Sequence, residues 1–242
     1  LTFDLDLGTR LRIKDQNQKI KVLAVMTCPR IKICCIADLE EAGLAIRYGA
    51  SALGLVAEMP SGPGPIPDEK IREIAAAVPP PVATFLLTSE TTAAGIIQHH
   101  RRTRTNTIQL VDELKGRAYA EIREALPGVK LVQVIHVRDE RSVDEAAELA
   151  EFVDAILLDS GNPTLDVKEL GGTGRCHDWR LSRKIVETVS RPVFLAGGLN
   201  AGNVREAIKT VQPFGLDICS GVRTDGKLDG QKLAEFFSEA WK

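Results

Sequence analysis

The sequence predicts a single-domain (β/α)8 barrel of the α/β class, and three features carry that prediction. Short apolar, β-branched runs alternate with helix-patterned segments, the signature of repeated βα units around a parallel sheet. The pairs number eight, whereas an open doubly wound sheet more often has five or six strands. The chain is 242 residues long, a length such barrels use as one unit, and no strong linker divides it.

Taken in order, Ile31–Ile36 (IKICCI) is the first strand and leads into a helix over Asp38–Tyr48. Ala52–Val56 (ALGLV) follows, then the GPGPIP run at 62–67, which reads as a loop, and a helix over Asp68–Ala77. Val82–Leu86 precedes a helix over Thr92–Arg101, and Thr107–Leu110 one over Gly116–Leu126. A Leu126-Pro127-Gly128 turn then opens onto the strand Leu131–His136 and the helix Ser142–Glu151. Ala155–Asp159 pairs with Trp179–Val189, Val193–Ala196 with Ala201–Val211, and Gly215–Cys219 with Gly230–Trp241. Residues 1–30 stand outside the eightfold pattern: TFDLDL alternates apolar and polar, KIKVLAVMT is strand-like, and DQNQ reads as a turn. A β-hairpin beneath a barrel over 31–242 is the expectation there.

Composition narrows the function. With 31 basic and 33 acidic residues there is no basic field for nucleic acid or anionic membrane. The segment His99-His100-Arg101-Arg102-Thr103-Arg104 is basic but ends a helix, where cations complement the dipole and stay solvated. No run reaches the roughly 18 apolar residues of a membrane span, and the N-terminus lacks signal-peptide order, so a soluble, cytoplasmic protein is expected. Five scattered cysteines without CxxC spacing suit reduced thiols better than a disulfide framework or a metal site.

In such a barrel the chemistry gathers where strands end. Glycine clusters follow the last three strands: Gly171-Gly172-Thr173-Gly174, Gly197-Gly198 and Ser220-Gly221. Glycines let backbone N–H groups approach an anion, so Gly172, Thr173, Gly174, Gly197, Gly198, Ser220 and Gly221 form an expected phosphate cradle for a small phosphorylated substrate.

Six segments in order resemble the phosphoribosylanthranilate isomerase family of tryptophan biosynthesis: KIC at 32–34, GASALGLV at 49–56, LLDS at 157–160, GGTG with DW at 171–179, LAGGLNAGNVREAI at 195–208 and FGLDICSGV at 214–222. The resemblance spans residues 31–240. It implies an Amadori rearrangement without metal or redox cofactor, in a monomer or homodimer. An acid opens the furanose of an N-phosphoribosyl arylamine, and a base removes the C2 proton. The match assigns the base to Cys34 and the acid to Asp159. A carboxyl acid needs a raised pKa, which burial supplies. Lys32, on the same strand face as Cys34, could stabilise a thiolate, but the favoured reading is that it balances a buried carboxylate.

Three departures lie at the aryl-binding rim. The family usually has a Ser-x-Arg segment after strand two, whose arginine holds the anthranilate carboxylate, and this chain reads Met59-Pro60-Ser61-Gly62-Pro63-Gly64-Pro65-Ile66. The usual QLHG after strand four is Gln109-Leu110-Val111-Asp112, and SGVE after strand eight ends in Arg223. Arg223, Arg175 or Arg138 is then the expected replacement cation, with His136 as a further substrate contact. The competing readings are an isomerase of another phosphoribosyl amine and a non-catalytic binder of a phosphorylated metabolite. The family's usual glycine after the cysteine is Cys35, which strand alternation would turn outward toward the helices.

Overall fold

The computed structural model describes residues 28–60, 62–114, 117–161 and 177–242. The hairpin expected in the leader lies outside these residues apart from 28–30, as do Gly172, Thr173, Gly174 and Arg175.

Eight parallel strands close into a barrel, hydrogen-bonded in chain order with the last pairing the first. They are β1 Arg30–Ile33, β2 Ala52–Val56, β3 Ala83–Thr88, β4 Thr107–Leu110, β5 Lys130–His136, β6 Ala155–Asp159, β7 Val193–Leu195 and β8 Gly215–Ile218. The helices are α1 Leu39–Arg47, α2 Asp68–Ala77, α3 Ala93–Thr103, α4 Ala118–Ala125, α5 Arg141–Leu149, α6 Trp179–Thr188, α7 Val204–Val211 and α8 Gly230–Ala240. A short 3-10 turn, Ser220–Val222, follows β8, and β9 Arg223–Thr224 pairs antiparallel with β10 Lys227–Leu228. Among the described residues no helix is long and apolar enough to cross a membrane.

The strands are buried on both faces, which is why they read as continuous apolar runs rather than alternations. One face, with Ile31, Ile33, Leu53, Leu55, Ile108 and Leu158, packs on the helices. The other, with Ala52, Val56, Phe85, Leu87, Val132, Val134, Leu157 and Phe194, fills the barrel. Helix starts are fixed by side-chain caps: Asp38 accepts from the Glu41 N–H at 2.9 Å, and Asp229 from the Gln231 and Lys232 N–H groups.

Two expectations need correction. The first strand ends at Ile33, so alternation does not extend to Cys35; its φ is +61°, a left-handed turn that points the thiol toward Cys219 and the Pro63 carbonyl instead of the helices. That conformation also explains why glycine suits the position. The second concerns the basic end of α3. His99 and His100 are buried, not solvated: His99 bridges the Thr88 hydroxyl (2.9 Å) and Asp68 (3.0 Å), and His100 meets the Thr105 carbonyl at 2.7 Å.

Candidate active site

Cys34 lies just past β1 inside the barrel, buried, with Lys32 below it on the same inward face. Lys32 is completely inaccessible and its ammonium donates to Asp217 of β8 at 2.8 Å, while the Phe85 ring centroid lies 5.3 Å away. Burial alone would discharge the lysine. The adjacent Asp217 carboxylate, helped by the Cys34 thiol, outweighs that and holds it charged above the ordinary lysine value. The carboxylate that Lys32 was expected to balance is therefore Asp217, across the β1–β8 seam. Room for these groups comes from Gly54 on β2. A Cβ there would fall 2.8 Å from the Cys34 sulfur and 2.9 Å from the Lys32 nitrogen.

Above this pair the end of β1 is held by Arg223. Its Nη2 donates to the Cys35 carbonyl at 2.5 Å and to the Cys34 carbonyl at 3.3 Å. Both terminal nitrogens also fork onto the Glu41 carboxylate, at 2.9 and 3.0 Å, and Nη1 donates to the Gly226 carbonyl. Glu41 in turn accepts from the Ala37 and Leu228 N–H groups. Burial opposes its ionisation, but the guanidinium and these two amides prevail and lower its pKa. Arg223 is thus engaged with the backbone of Cys34 and Cys35 and with Glu41 of α1. The loop after β2 covers this corner: Pro65 bridges Val56, and Gly64, at φ +73°, passes so close that a Cβ would sit 2.7 Å from that of Cys35.

On the other side of the mouth, Asp159 ends β6 and is buried. Burial, reinforced by the charge of Asp217, pushes its pKa up to about 6, against the Ser160 N–H at 2.7 Å and Lys32, which pull it down. His136 ends β5 in register with Asp159. It is buried, burial lowers its pKa against the opposing pull of the Val111 backbone, and among the described residues neither ring nitrogen makes a well-formed hydrogen bond. A lone strand-end histidine is usually satisfied by its surroundings, whereas this one makes no well-formed side-chain hydrogen bond among the described residues. Arg138, two residues on, is exposed.

At the corner where a phosphate cradle is expected, Gly197 and Gly198 follow β7 with φ of +84° and +63°, and Ser220 and Gly221 form the 3-10 turn after β8. These two clusters come together beside β1; the third, at 172–174, lies outside the described residues. Three neighbours of these groups were not singled out from the sequence: Asp217, Glu41 and Cys219. Asp217 stood inside a quoted motif, and a lone acid in an apolar strand was the available signal. Glu41 and Cys219 gain their meaning only from Arg223 and Cys35, far away in the chain.

A closed barrel that buries a thiol and a proton-holding carboxyl at its mouth, beside a glycine-lined corner, has the form of an acid/base enzyme acting on a phosphorylated small molecule. The family model described as N-(5'phosphoribosyl)anthranilate (PRA) isomerase matches residues 31–239. The chain belongs to the N-(5'-phosphoribosyl)anthranilate isomerase family. A protein of that name from Haloferax volcanii is 36% identical over 214 residues, covering 88% of this chain and 93% of its own. One from Methanosarcina acetivorans is 33% identical, over 87% and 92%. Among solved structures, the Thermotoga maritima phosphoribosyl anthranilate isomerase superposes with a TM-score of 0.75 at 32% identity, covering 88% of this chain and 98% of that one. Another isomerase, in complex with reduced 1-(o-carboxyphenylamino)-1-deoxyribulose 5-phosphate, gives 0.73 at 30%, with the same coverage.

Proposed function

We propose that this chain converts N-(5'-phosphoribosyl)anthranilate into 1-(o-carboxyphenylamino)-1-deoxyribulose 5-phosphate, with Asp159 as acid and Cys34 as base. The observation that carries the assignment is the buried carboxyl of Asp159, whose pKa of about 6 keeps a usable proton near neutrality, in the same barrel mouth as the Cys34 thiol. Asp159 gives its proton to the furanose ring oxygen as the C1–O bond breaks, leaving a Schiff base between C1 and the arylamine nitrogen. Cys34, as thiolate, takes the C2 proton; the electron pair moves into the C1–C2 bond, and the enolamine then tautomerises to the ketose. Protons move only among carbon, oxygen, sulfur and nitrogen, so the residues present account for each step.

The Lys32 ammonium adds a fixed positive charge beside the base, balanced by Asp217. Gly197, Gly198, Ser220 and Gly221, with Gly172, Thr173 and Gly174, hold the phosphate. His136 lies beyond Asp159 from that corner, and its ring nitrogens, without a well-formed hydrogen bond among the described residues, suit the substrate's polar aryl half. With Arg223 engaged elsewhere, Arg138 and Arg175 are the cations for the aryl carboxylate.

The test is to add purified chain to freshly made phosphoribosylanthranilate and follow the loss of anthranilate fluorescence. Turnover is expected, falling about 1,000-fold in Asp159→Asn. Wild-type turnover no faster than that of the variant would overturn the assignment.

A further inference from the structure

We propose that Cys219 and Cys35 form an oxidative modification site at the barrel mouth, where a peroxide oxidises Cys219 and Cys35 then closes a disulfide with it.

The two sulfurs stand 3.0 Å apart in hydrogen-bond contact although 184 residues separate them in sequence. Their backbones are already tied by the barrel seam, through the Cys34 N–H donating to the Ile218 carbonyl at 2.8 Å. A disulfide requires about 2 Å between sulfurs, so closure needs a movement of only about 1 Å. The Cys35 thiol is also directed by its surroundings: the left-handed backbone turns it inward, and its sulfur contacts the Pro63 carbonyl at 3.4 Å.

The pair is chemically unequal, as a peroxide-reactive and a resolving cysteine must be. Cys219 is partly exposed, whereas Cys35 is 6% exposed. The hydrogen bond with Cys35, and then the nearby Arg223 charge, hold the Cys219 thiol below its ordinary pKa against the effect of burial. Hydrogen bonding to Cys219 and Cys34, with burial, holds Cys35 above its ordinary value and therefore protonated. The Cys219 thiolate attacks one peroxide oxygen and the O–O bond breaks; sulfur is oxidised to sulfenic acid and the peroxide is reduced to water or an alcohol. Cys35 sulfur then attacks that sulfur, forming the S–S bond and releasing water.

The disulfide would act on the base through the chain itself. Arg223 holds the carbonyls of both Cys34 and Cys35, so drawing Cys35 toward β8 displaces Cys34 as well. Misplacement of a catalytic group by about 1 Å can lower the rate about 100-fold. This consequence rests on the reading of Cys34 as the base, while the thiol chemistry does not.

The test treats the reduced full chain with hydrogen peroxide, blocks remaining thiols with N-ethylmaleimide and maps the unreduced digest by mass spectrometry. A Cys35–Cys219 cross-link two hydrogens lighter than the separate peptides, removed by dithiothreitol, is expected. Turnover should fall at least tenfold in step with it and return on reduction. Cys219→Ser should lose the cross-link with its turnover before oxidation unchanged, and Cys35→Gly should instead carry Cys219 onward to sulfinic acid. Alkylated Cys219 after peroxide, or a cross-link joining Cys34 to Cys35, would overturn the site. A Cys35–Cys219 cross-link with undiminished turnover would overturn the coupling to Cys34. Should the chain turn over no phosphoribosyl amine, the cross-link alone still decides the thiol chemistry.

Discussion

Around Cys34 the polar groups are paired: Lys32 with Asp217, and Arg223 with Glu41 and the carbonyls of Cys34 and Cys35. Around Asp159, among the described residues, the Ser160 N–H donates at 2.7 Å, and neither ring nitrogen of His136 in the neighbouring strand makes a well-formed hydrogen bond. The same barrel mouth thus holds two environments. Hydrogen bonds on the β1–β8 side fix position, whereas burial on the β5–β6 side keeps a proton on a carboxyl that water would strip away. On the proposed roles, one ring of strands aims the base through hydrogen bonds and keeps the acid protonated through burial.

Removing either of the proposed reacting groups should have the largest effect. Cys34→Ala and Asp159→Asn are each expected to lower kcat by about 1,000-fold or more, with unchanged circular dichroism and phosphate-ester affinity. Loss of ligand binding in step with activity would point to misfolding instead.

Next comes the clamp. Arg223→Ala frees two backbone carbonyls and leaves the Glu41 carboxylate without its cation, so kcat should fall about 10–100-fold while KM changes little. Stability should fall by about 2 kcal/mol, read from urea unfolding. Arg223→Lys restores the charge but not the fork, so it should recover stability better than kcat. A change confined to KM would mean that Arg223 contacts substrate.

The acid side gives a stability signature with a defined sign. Folded, Asp159 keeps its proton to about pH 6; unfolded, to about 3.8. Between these values the folded chain binds more protons, so its stability falls as pH rises through that window, by about 3 kcal/mol. Asp159→Asn escapes this penalty. Its unfolding midpoint should exceed that of the wild type at pH 8, and the advantage should shrink away below pH 4. A difference that ignores pH would place Asp159 in a polar setting like that around Cys34. The alkaline limb of kcat/KM should also reflect loss of the Asp159 proton.

The smallest effect belongs to Cys35→Gly. Glycine relieves the left-handed strain at φ +61° but loses the buried thiol, two terms of about 1 kcal/mol that oppose each other. Unfolding free energy and turnover should stay within about 1 kcal/mol and twofold. Loss of turnover comparable to that of Cys34→Ala would show that Cys35 shares in the chemistry.

Much of the barrel was legible because its signal is local. Ala52–Val56, Thr107–Leu110, Ala155–Asp159 and Asp68–Ala77 appear with the bounds their residues suggest. Asp159 and His136 could be placed at the mouth because each closes a strand. What stayed hidden was tertiary. Nothing near Arg223 in the sequence announces that it will seek Glu41, 182 residues away, rather than a substrate carboxylate. Cys35 misled because alternation was carried two residues past the true end of β1, where the backbone had already turned. That His136 makes no well-formed side-chain hydrogen bond among the described residues is a packing outcome that no residue pattern encodes.

The comparison between the two sides stands or falls with the protonation of one carboxyl. Aspartate side-chain carboxyls labelled with 13C, titrated by NMR and assigned through Asp159→Asn, would read it directly. A midpoint for Asp159 near pH 6 is expected; a midpoint near the ordinary aspartate value of about 4 would contradict the account.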